Sequence, residues 1–317
     1  MLLSTSNSSS TGTRTAFKLL LGGLALSAVA AELLGPILFT HLSRIQRRIK
    51  QEYGEAVTLR AAADDGRPTL LLAGNSLLLQ GIDFPRFQKE LQPRYHAARF
   101  VVEGTQYLDW YFGLRRLFRA GSRPRVVVLL MSSPNLVSSA TRGEYFAHFL
   151  LNSRDVFALA KMARLDNTTA SNYLMASWSG WLGSRVELRK FLLSKSIPGI
   201  EGMTRLMAVM PPTTPMSDFH RPLIFLRLQE LNRLCQKYGS EFVFILPPTP
   251  NKKEDLSIAE AAGSAAGMVV LVPSLPGEMP TGLYEDGYHL NPEGASLFTS
   301  ELIDRLKAAR FGVHPIE

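Results

Sequence analysis

Five short runs of almost uninterrupted apolar residues are the feature that most limits how this chain can fold. Each run is rich in Val, Leu, Ile and Phe and is bounded by Gly, Pro or Ser, as strands are. The runs are residues 69–75, 97–103, 125–132, 241–247 and 268–273. Because apolar and polar residues do not alternate, both faces of these strands are expected to be covered, as in a parallel sheet. With helical patterns between the runs, this predicts a three-layer α/β sandwich with a five-stranded parallel sheet.

Because helices connect the predicted strands, several polar residues are expected at one edge of that sheet. The clearest patterns cover residues 107–120, 221–239 and 257–267. A last helix is expected to begin at Pro292 with Asn291 as its N-cap. In such sheets, functional groups gather at the carboxyl ends of the strands. Residues expected at this edge are Ser76, Gly104, Asn135 and the loop 247–251, which is either a substrate wall or a loop fixed by its prolines.

Two short motifs carry the residue types of a nucleophilic acyl-transfer site. The first run ends in Gly74-Asn75-Ser76, and Asp286 and His289 precede the last helix. A serine hydroxyl becomes a useful nucleophile when an imidazole takes its proton, and a carboxylate fixes the tautomer of that imidazole. Ser76, His289 and Asp286 are therefore the candidate nucleophile, base and orienting acid. Taken alone, each has an ordinary alternative as a turn, cap or surface residue.

Together and in this order, the two motifs resemble those of the SGNH (GDSL-like) hydrolase superfamily of esterases, lipases and carbohydrate O-acyl esterases. That superfamily has Gly-Asp-Ser after its first strand and Asp-x-x-His near its C-terminus. Here Asn75 stands in place of the aspartate, and both side chains can cap nearby backbone N–H groups. The resemblance spans residues 68–310 and implies a flavodoxin-like SGNH fold with Ser76, Asp286 and His289 as catalytic residues.

The resemblance also implies an oxyanion hole. Its donors would be the backbone N–H of Ser76, a glycine after the second strand and an asparagine after the third. Gly104 and Asn135 stand at these places, although Ser133 replaces the glycine expected two residues before Asn135. A missing donor lowers the rate by about 10²–10³. The alternatives are a strand-exit glycine for Gly104 and a turn residue after Pro134 for Asn135.

The N-terminal part of the chain predicts a membrane segment. Residues 1–15 are rich in Ser and Thr and are expected to be disordered. Residues 16–39 are long and apolar enough to cross a hydrocarbon core of about 30 Å as a retained anchor. A signal segment cleaved after Ala28-Val29-Ala30 is the alternative. The basic residues that follow the segment favour a cytoplasmic location for the rest of the chain, whereas those that precede its apolar core favour export. We adopt export. The chain is then expected to pass once through the inner membrane, with residues 40–317 periplasmic or extracellular.

Two further stretches divide the rest of the chain. Residues 40–67 predict a stalk helix and linker ahead of the hydrolase-like domain at 68–310. Within that domain, residues 136–216 are longer than one crossover requires and form a helical insertion. The insertion is either one crossover helix with loose surface helices or a lid that contacts acyl chains or the membrane. Its aromatic candidates for such contacts are Phe146, Phe149, Trp178 and Trp181.

The composition argues against several other classes of function. The net charge is +8, yet the basic residues are scattered and no basic strip interleaved with aromatic residues suggests nucleic-acid binding. The dense cluster Arg44, Arg47, Arg48 and Lys50 follows the apolar segment, which favours lipid headgroups. Cys235 is expected to be a structural thiol. No metal-ligand spacing is present, so neither metal nor cofactor is predicted.

These observations predict a serine-dependent esterase or O-acyltransferase that works through an acyl-enzyme. Resemblance to membrane-anchored SGNH proteins of bacterial envelopes suggests an acylated polysaccharide or lipid as substrate. Water and a sugar hydroxyl both remain as acceptors. The main alternative is a non-catalytic, membrane-anchored envelope assembly or binding protein that uses the same fold as a scaffold. The apolar N-terminal segment disfavours a soluble cytoplasmic thioesterase or lysophospholipase.

Overall fold

A parallel β-sheet forms the centre of the protein. The computed structural model describes residues 10–197 and 217–309. The strands are β1 (Thr69–Gly74), β2 (His96–Val101), β3 (Val126–Leu130), β4 (Glu241–Ile245) and β5 (Val269–Leu271). They lie side by side in the order β2-β1-β3-β4-β5, and every neighbouring pair is parallel. Each strand overlaps one of the five apolar runs, so the predicted five-stranded parallel sheet is confirmed.

Helices connect the strands and cover the sheet. In chain order they are α1 (Ser10–Leu42), α2 (Arg44–Thr58), α3 (Ser76–Gly81), α4 (Phe84–Leu91), α5 (Tyr107–Arg119), α6 (Ser133–Val137), α7 (Glu144–Phe149), α8 (Val156–Ala163), α9 (Asn167–Trp178), α10 (Gly180–Ser196), α11 (Arg221–Lys237), α12 (Ser257–Ala265) and α13 (Pro292–Ala309). The three patterns predicted as helices correspond to α5, α11 and α12. Helix α13 begins at Pro292, and Asn291 Oδ1 accepts the N–H of Gly294 at 2.9 Å, as expected of an N-cap.

The two faces of the sheet are buried under different helices. Alternate residues of one strand point to opposite faces, so Leu71 packs with α2, α5, α11 and α12, whereas Leu72 packs with α3, α4 and α13. Every residue of β1 and β3 is buried, which explains why these strands read as continuous apolar runs. The fold is thus the predicted three-layer α/β sandwich. Cys235 of α11 is fully buried in the first of these cores.

Helix α2 covers the segment that was predicted as a stalk, and it packs against the sheet. Ile49 and Ala56 are fully buried. Glu52 accepts the backbone N–H of Val101 at 2.8 Å and the Nε–H of Arg99 at 2.9 Å. A stripe of apolar residues on an otherwise polar helix is enough to dock it. The segment 40–67 therefore contributes to the core as well as joining it to α1.

Helix α1 contains the predicted membrane segment. Residues 12–35 are long and apolar enough to cross a membrane, and residues 12–29 are exposed. Residues 1–9 of the predicted disordered tail lie outside the described residues. From Ser10 onward the chain is helical, so the helix begins six residues before the predicted segment.

The long connection between β3 and β4 forms a group of packed helices, α7 to α10, followed by the crossover helix α11. Phe146 is fully buried and Phe149 is half-buried, so both stabilise this group from within. Trp178 and Trp181 are exposed. Residues 198–216 of the predicted insertion lie outside the described residues.

Candidate active site

The turn that follows β1 presents Ser76 as the first residue of α3. Asn75 is the N-cap of this helix, and its Oδ1 accepts the N–H of Leu77 at 3.0 Å. A Cβ atom at Gly74 would lie 2.6 Å from the carbonyl oxygen of Leu130 and 2.9 Å from Cβ of Leu78. Only glycine therefore lets β1 approach β3 and α3 this closely. The Gly-Asn-Ser motif combines this steric requirement with a helix cap, and it leaves the serine at the carboxyl edge of the sheet.

A small closed loop holds Asp286 and His289. Tyr284 and Leu290 form an isolated antiparallel bridge at its base, and the N–H of Glu285 donates to the carbonyl of His289 at 2.9 Å. Gly287 has φ +78°, a conformation that favours glycine. The residues of the motif therefore lie on one compact turn.

Within this loop, the carboxylate of Asp286 is fully engaged. Its Oδ1 accepts the backbone N–H groups of Tyr288 at 3.0 Å and His289 at 2.7 Å, and its Oδ2 lies 2.7 Å from Nδ1 of His289. Partial burial raises the pKa of Asp286, but these hydrogen bonds outweigh it and hold the pKa below its ordinary value. The group is therefore ionised at neutral pH, as an acceptor for an imidazole N–H must be.

The opposite ring nitrogen of His289 completes the arrangement. Nε2 of His289 lies 3.0 Å from Oγ of Ser76, although the two residues are 213 positions apart in the chain. The structure thus brings the three residues together in the hydrogen-bonded order serine, histidine, aspartate. In this geometry Nδ1–H can donate to the carboxylate while Nε2 accepts the serine proton.

The side chain of Asn135, near the start of α6, is held in one orientation. Its Oδ1 accepts hydrogen bonds from Oγ of Ser132 at 2.6 Å, Nδ2 of Asn75 at 3.3 Å and the hydroxyl of Tyr288 at 3.4 Å. Three donors on the oxygen leave Nδ2 as the outward-facing end of the amide. Among the described residues, that Nδ2 makes no hydrogen bond. It is thus available as a donor, even though Ser133 stands where a glycine was expected.

The partners of Asn135 were not identified from the sequence. Ser132 is the N-cap of α6, but its hydroxyl donates to Oδ1 of Asn135 and makes no cap hydrogen bond. Burial raises the pKa of the Tyr288 phenol against the opposing hydrogen bond to Ser132, so this phenol stays protonated and can donate. Tyr288 lies inside the Asp286–His289 motif, and that position is the sequence signal that could have revealed it.

Gly104 lies on the loop that follows β2, next to the nucleophile turn. It has φ +71°, and a Cβ atom there would lie 3.9 Å from the guanidinium of Arg142. The neighbouring carbonyl of Thr105 accepts a hydrogen bond from Nδ2 of Asn75 at 3.1 Å. The hydroxyl of Thr105 donates to the carbonyl of Val102 and accepts Nε1–H of Trp110 at 2.9 Å. The loop bearing Gly104 is therefore tied to the turn bearing Ser76.

Two cavities lie on opposite sides of the serine turn. The small cavity, of about 110 Å³, lies toward β3 and β4. Its walls include Leu77, Pro134, Tyr288 and the loop 247–251, whose prolines therefore face this cavity. The large cavity, of about 750 Å³, lies toward β2 and the helical insertion. Its polar walls include Glu103, Gly104, Arg142, Thr169, Glu187 and Lys190.

Within residues 10–197 and 217–309, no group of three or more His, Cys, Asp or Glu residues is placed to hold a metal ion. His289 and Asp286 are engaged with each other and with Ser76. The arrangement offers a hydroxyl, an imidazole and a carboxylate, the groups that nucleophilic acyl transfer requires.

The chain matches no protein-family model, and no curated protein matches it significantly. Several solved structures share low similarity with it, and two of them are crystal structures of named proteins. One is TesA, with 13% sequence identity and a TM-score of 0.39 over 76% of this chain and 98% of that chain. The other is LAE5, an alpha/beta hydrolase enzyme from the metagenome of Lake Arreo, Spain, with 10% identity and a TM-score of 0.38 over 78% of this chain and 96% of that chain.

Proposed function

We propose that the protein is a serine-dependent ester hydrolase or O-acyltransferase that works through an acyl-enzyme. The observation that carries the proposal is the hydrogen-bonded series Ser76 Oγ, His289 Nε2, His289 Nδ1 and Asp286 Oδ2, with separations of 3.0 and 2.7 Å. If Ser76 and His289, 213 positions apart, were close only by chance, nothing would orient the ring so that Nε2 faces the serine and Nδ1 faces the aspartate. Here both nitrogens face these partners.

The first half-reaction forms the acyl-enzyme. Oγ of Ser76 attacks the acyl carbonyl carbon while its proton moves to Nε2 of His289, and Asp286 stabilises the resulting imidazolium. Negative charge then develops on the carbonyl oxygen. The backbone N–H groups of Ser76 and Gly104 and Nδ2 of Asn135 are the donors proposed to bind it. The tetrahedral intermediate collapses, and the Nε2–H proton passes to the departing alcohol.

The second half-reaction regenerates the serine. Neutral His289 takes a proton at Nε2 from an acceptor hydroxyl, whose oxygen attacks the acyl carbon bonded to Oγ of Ser76. When the tetrahedral intermediate collapses, the bond between that carbon and Oγ breaks, and Nε2–H returns its proton to Oγ. If the acceptor is water, the product is a carboxylic acid; if it is a sugar hydroxyl, the acyl group is transferred. The polar walls of the large cavity, close to Gly104, suit a polyhydroxylated alcohol portion, since carboxylates and cationic side chains bind hydroxyl groups well.

The small cavity suits a short acyl group. Its volume of about 110 Å³ is well below the roughly 300–1,000 Å³ of pockets that hold drug-sized ligands. Its wall is also fixed, because proline removes backbone freedom from the loop 247–251. We expect p-nitrophenyl acetate to be turned over faster than esters of longer acyl chains.

The setting proposed for this chemistry is the cell envelope. Helix α1 would anchor the protein in the inner membrane with the α/β core on the periplasmic or outer side, and the substrate would be an acyl ester of an envelope polysaccharide or lipid. The exposed residues 12–29, largely apolar from Leu19 onward, and the exposed Arg44, Arg47 and Lys50 just after α1 support an anchor with a basic flank.

The nucleophile is tested by labelling with a fluorophosphonate probe and by turnover of p-nitrophenyl acetate. Ser76→Ala should remove both signals. Ser264→Ala, an exposed serine of α12, is the matched control and should keep both. Labelling that persists in Ser76→Ala would refute the nucleophile. A wild-type protein that neither reacts with the probe nor hydrolyses the ester would instead support the non-catalytic scaffold.

A further inference from the structure

A carboxylate on the apolar helix α1 is joined to the helical insertion. Glu32 Oε2 accepts the hydroxyl of Ser179 at 2.6 Å, and Oε1 accepts the N–H of Gly180 at 2.6 Å. The N–H of Trp181 approaches Oε2 at 3.4 Å. These donors belong to the junction between α9 and α10, where Ser179 is also the N-cap of α10. An acidic group is favourable at a helix N-terminus, so the insertion is docked on α1 at this point.

A close packing contact lies one turn further along α1. A Cβ atom at Gly35 would lie 2.7 Å from Cε3 of Trp181. The indole therefore rests directly on the backbone of α1, on the face that also carries Glu32. With the three hydrogen bonds, this contact fixes the height of the α9–α10 junction along the helix.

That height corresponds to the surface of a bilayer, if α1 spans the membrane as proposed above. Residues 12–29 are exposed along their whole length, and a helix of this length spans about 27 Å. This nearly matches a hydrocarbon core of about 30 Å, with Arg14 and Lys18 near its N-terminal end, where long basic side chains extend toward the headgroups. Glu32 and Gly35 follow within the next two turns and so fall at the boundary between acyl chains and headgroups.

The junction presents the side chains that favour this boundary. Trp178 is 69% exposed and Trp181 is 38% exposed. Tryptophan is enriched at membrane–water interfaces because its ring is apolar while its N–H remains hydrated. Both helices of the junction also carry exposed apolar residues, which are Met175 on α9 and Leu192 and Leu193 on α10. The exposed cations Arg44 and Arg47 of α2 follow α1 directly and complement anionic headgroups.

We propose that the α9–α10 junction, residues 178–181, inserts into the headgroup region of the bilayer, so that the helical insertion rests on the lipid surface beside its own membrane helix. The partner is a phospholipid bilayer, and the surface is continuous with the lipid-facing side of α1. Glu187 and Lys190 of α10 also line the large cavity. Docking of the junction would therefore hold that cavity at a fixed height above the lipid.

The chain offers an internal control for this proposal. Its three tryptophans are Trp110, Trp178 and Trp181, and Trp110 is fully buried beside the sheet. The full-length protein is reconstituted into phosphatidylcholine vesicles whose acyl chains carry bromine either near the headgroup or near the chain end. We expect bromine near the headgroup to quench the tryptophan emission more strongly than bromine near the chain end, because the two exposed indoles would lie at the interface. In Trp178→Phe/Trp181→Phe, only Trp110 emits, and quenching should disappear.

A second pair of variants tests the tether. Glu32→Ala removes the three hydrogen bonds and should reduce the quenching of Trp178 and Trp181, whereas the adjacent, exposed Leu33→Ala should not. Quenching that stays unchanged in Glu32→Ala would overturn the role of the carboxylate.

The possible failures are distinguishable. A protein that floats with vesicles but shows no quenching would overturn the docking while leaving the anchor intact. A protein that does not float would overturn both. Hydrolysis of a water-soluble ester should be unchanged in Trp178→Phe/Trp181→Phe, so loss of the proposed esterase activity would be seen separately.

Discussion

The two halves of the candidate site are built in different ways. Asp286 and His289 lie three residues apart on one closed loop, and a single long-range contact joins them to Ser76. The oxyanion half depends on Asn135, whose side chain is oriented by groups from three other segments: Asn75, Ser132 and Tyr288. The acid–base half is thus specified locally, whereas the oxyanion half exists only in the folded protein. Substitutions in the two halves should therefore have different effects on activity and on stability.

The largest effect is expected in the acid–base half. In Asp286→Asn, an amide N–H group would face Nδ1 of His289 and favour the tautomer that cannot accept the serine proton. We expect kcat to fall by about 10⁴, with little change in the unfolding midpoint because the loop is partly exposed. Asp304→Asn, at an exposed position of α13, is the matched control. A fall of less than tenfold in Asp286→Asn would mean that the carboxylate does not set the tautomer.

A pH effect on stability is expected from the oxyanion half. The buried carboxyl of Asp109 supports the loop after Gly104 by accepting the N–H groups of Gln106 at 2.7 Å and Arg142 at 3.1 Å. Burial raises its pKa to about 7, although these hydrogen bonds and the charge of Arg142 oppose the rise. Between its unfolded and folded pKa values, the native state holds a proton that the unfolded state has lost. The free energy of unfolding should therefore fall by about 4 kcal/mol from about pH 4 to about pH 7.

Denaturant titrations across this pH range check the Asp109 prediction. The difference between wild type and Asp109→Asn isolates the titration of this group. Asp286 has the opposite sign: its lowered pKa gives a contribution that is present above its ordinary value and lost in acid. A wild-type stability that rises from pH 4 to pH 7 relative to Asp109→Asn would contradict the assignment.

Removal of the amide donor should affect kcat more than binding. Asn135→Ala is expected to lower kcat by about 10²–10³ with KM nearly unchanged, because the donor acts on charge that develops only in the transition state. Asn167→Ala, an exposed asparagine at the start of α9, is the control. If KM rises while kcat is kept, Asn135 binds the ground state and is not an oxyanion donor.

The smallest effect on activity is expected from substitution of Asn75, the residue at which this chain differs from the Gly-Asp-Ser pattern that it resembles. Asn75→Asp would restore the residue usual in that pattern, yet it would place a carboxylate oxygen against the carbonyl of Thr105 and Oδ1 of Asn135. We expect a loss of about 1–3 kcal/mol in stability and a modest, roughly tenfold fall in kcat as Asn135 loses one of its donors. A variant that is as stable and active as wild type would show that the Asn75 amide does not position Asn135.

The features that the sequence predicts correctly are those whose physical signal is local. The strands are buried on both faces, so uninterrupted apolarity identified them, and the start of α13 was predicted from Asn291 and Pro292. The spacing of Asp286 and His289 reflects a loop of a few residues. These features depend on neighbours in the chain, which the sequence displays directly.

The rest depends on contacts between distant segments. Ser133 in place of a glycine gave no indication that Ser132 and Tyr288 would hold Asn135. The polar character of α2 suggested a stalk. Ile49 and Ala56 are buried only because the sheet lies against them, and the sequence of α2 alone does not show this contact. Likewise, no residue near Glu32 in the sequence indicates its partners, because Ser179 and Gly180 lie nearly 150 residues away.

The small closed loop between Tyr284 and Leu290 has a consequence for the order in which the protein folds. The hydrogen bonds inside it span only a few residues, so little chain entropy is lost when they form. The aspartate–imidazole pair can therefore be complete soon after its segment collapses, while the approach to the serine waits for docking of α13. During refolding, protection of the His289 amide should precede recovery of reactivity toward the fluorophosphonate probe.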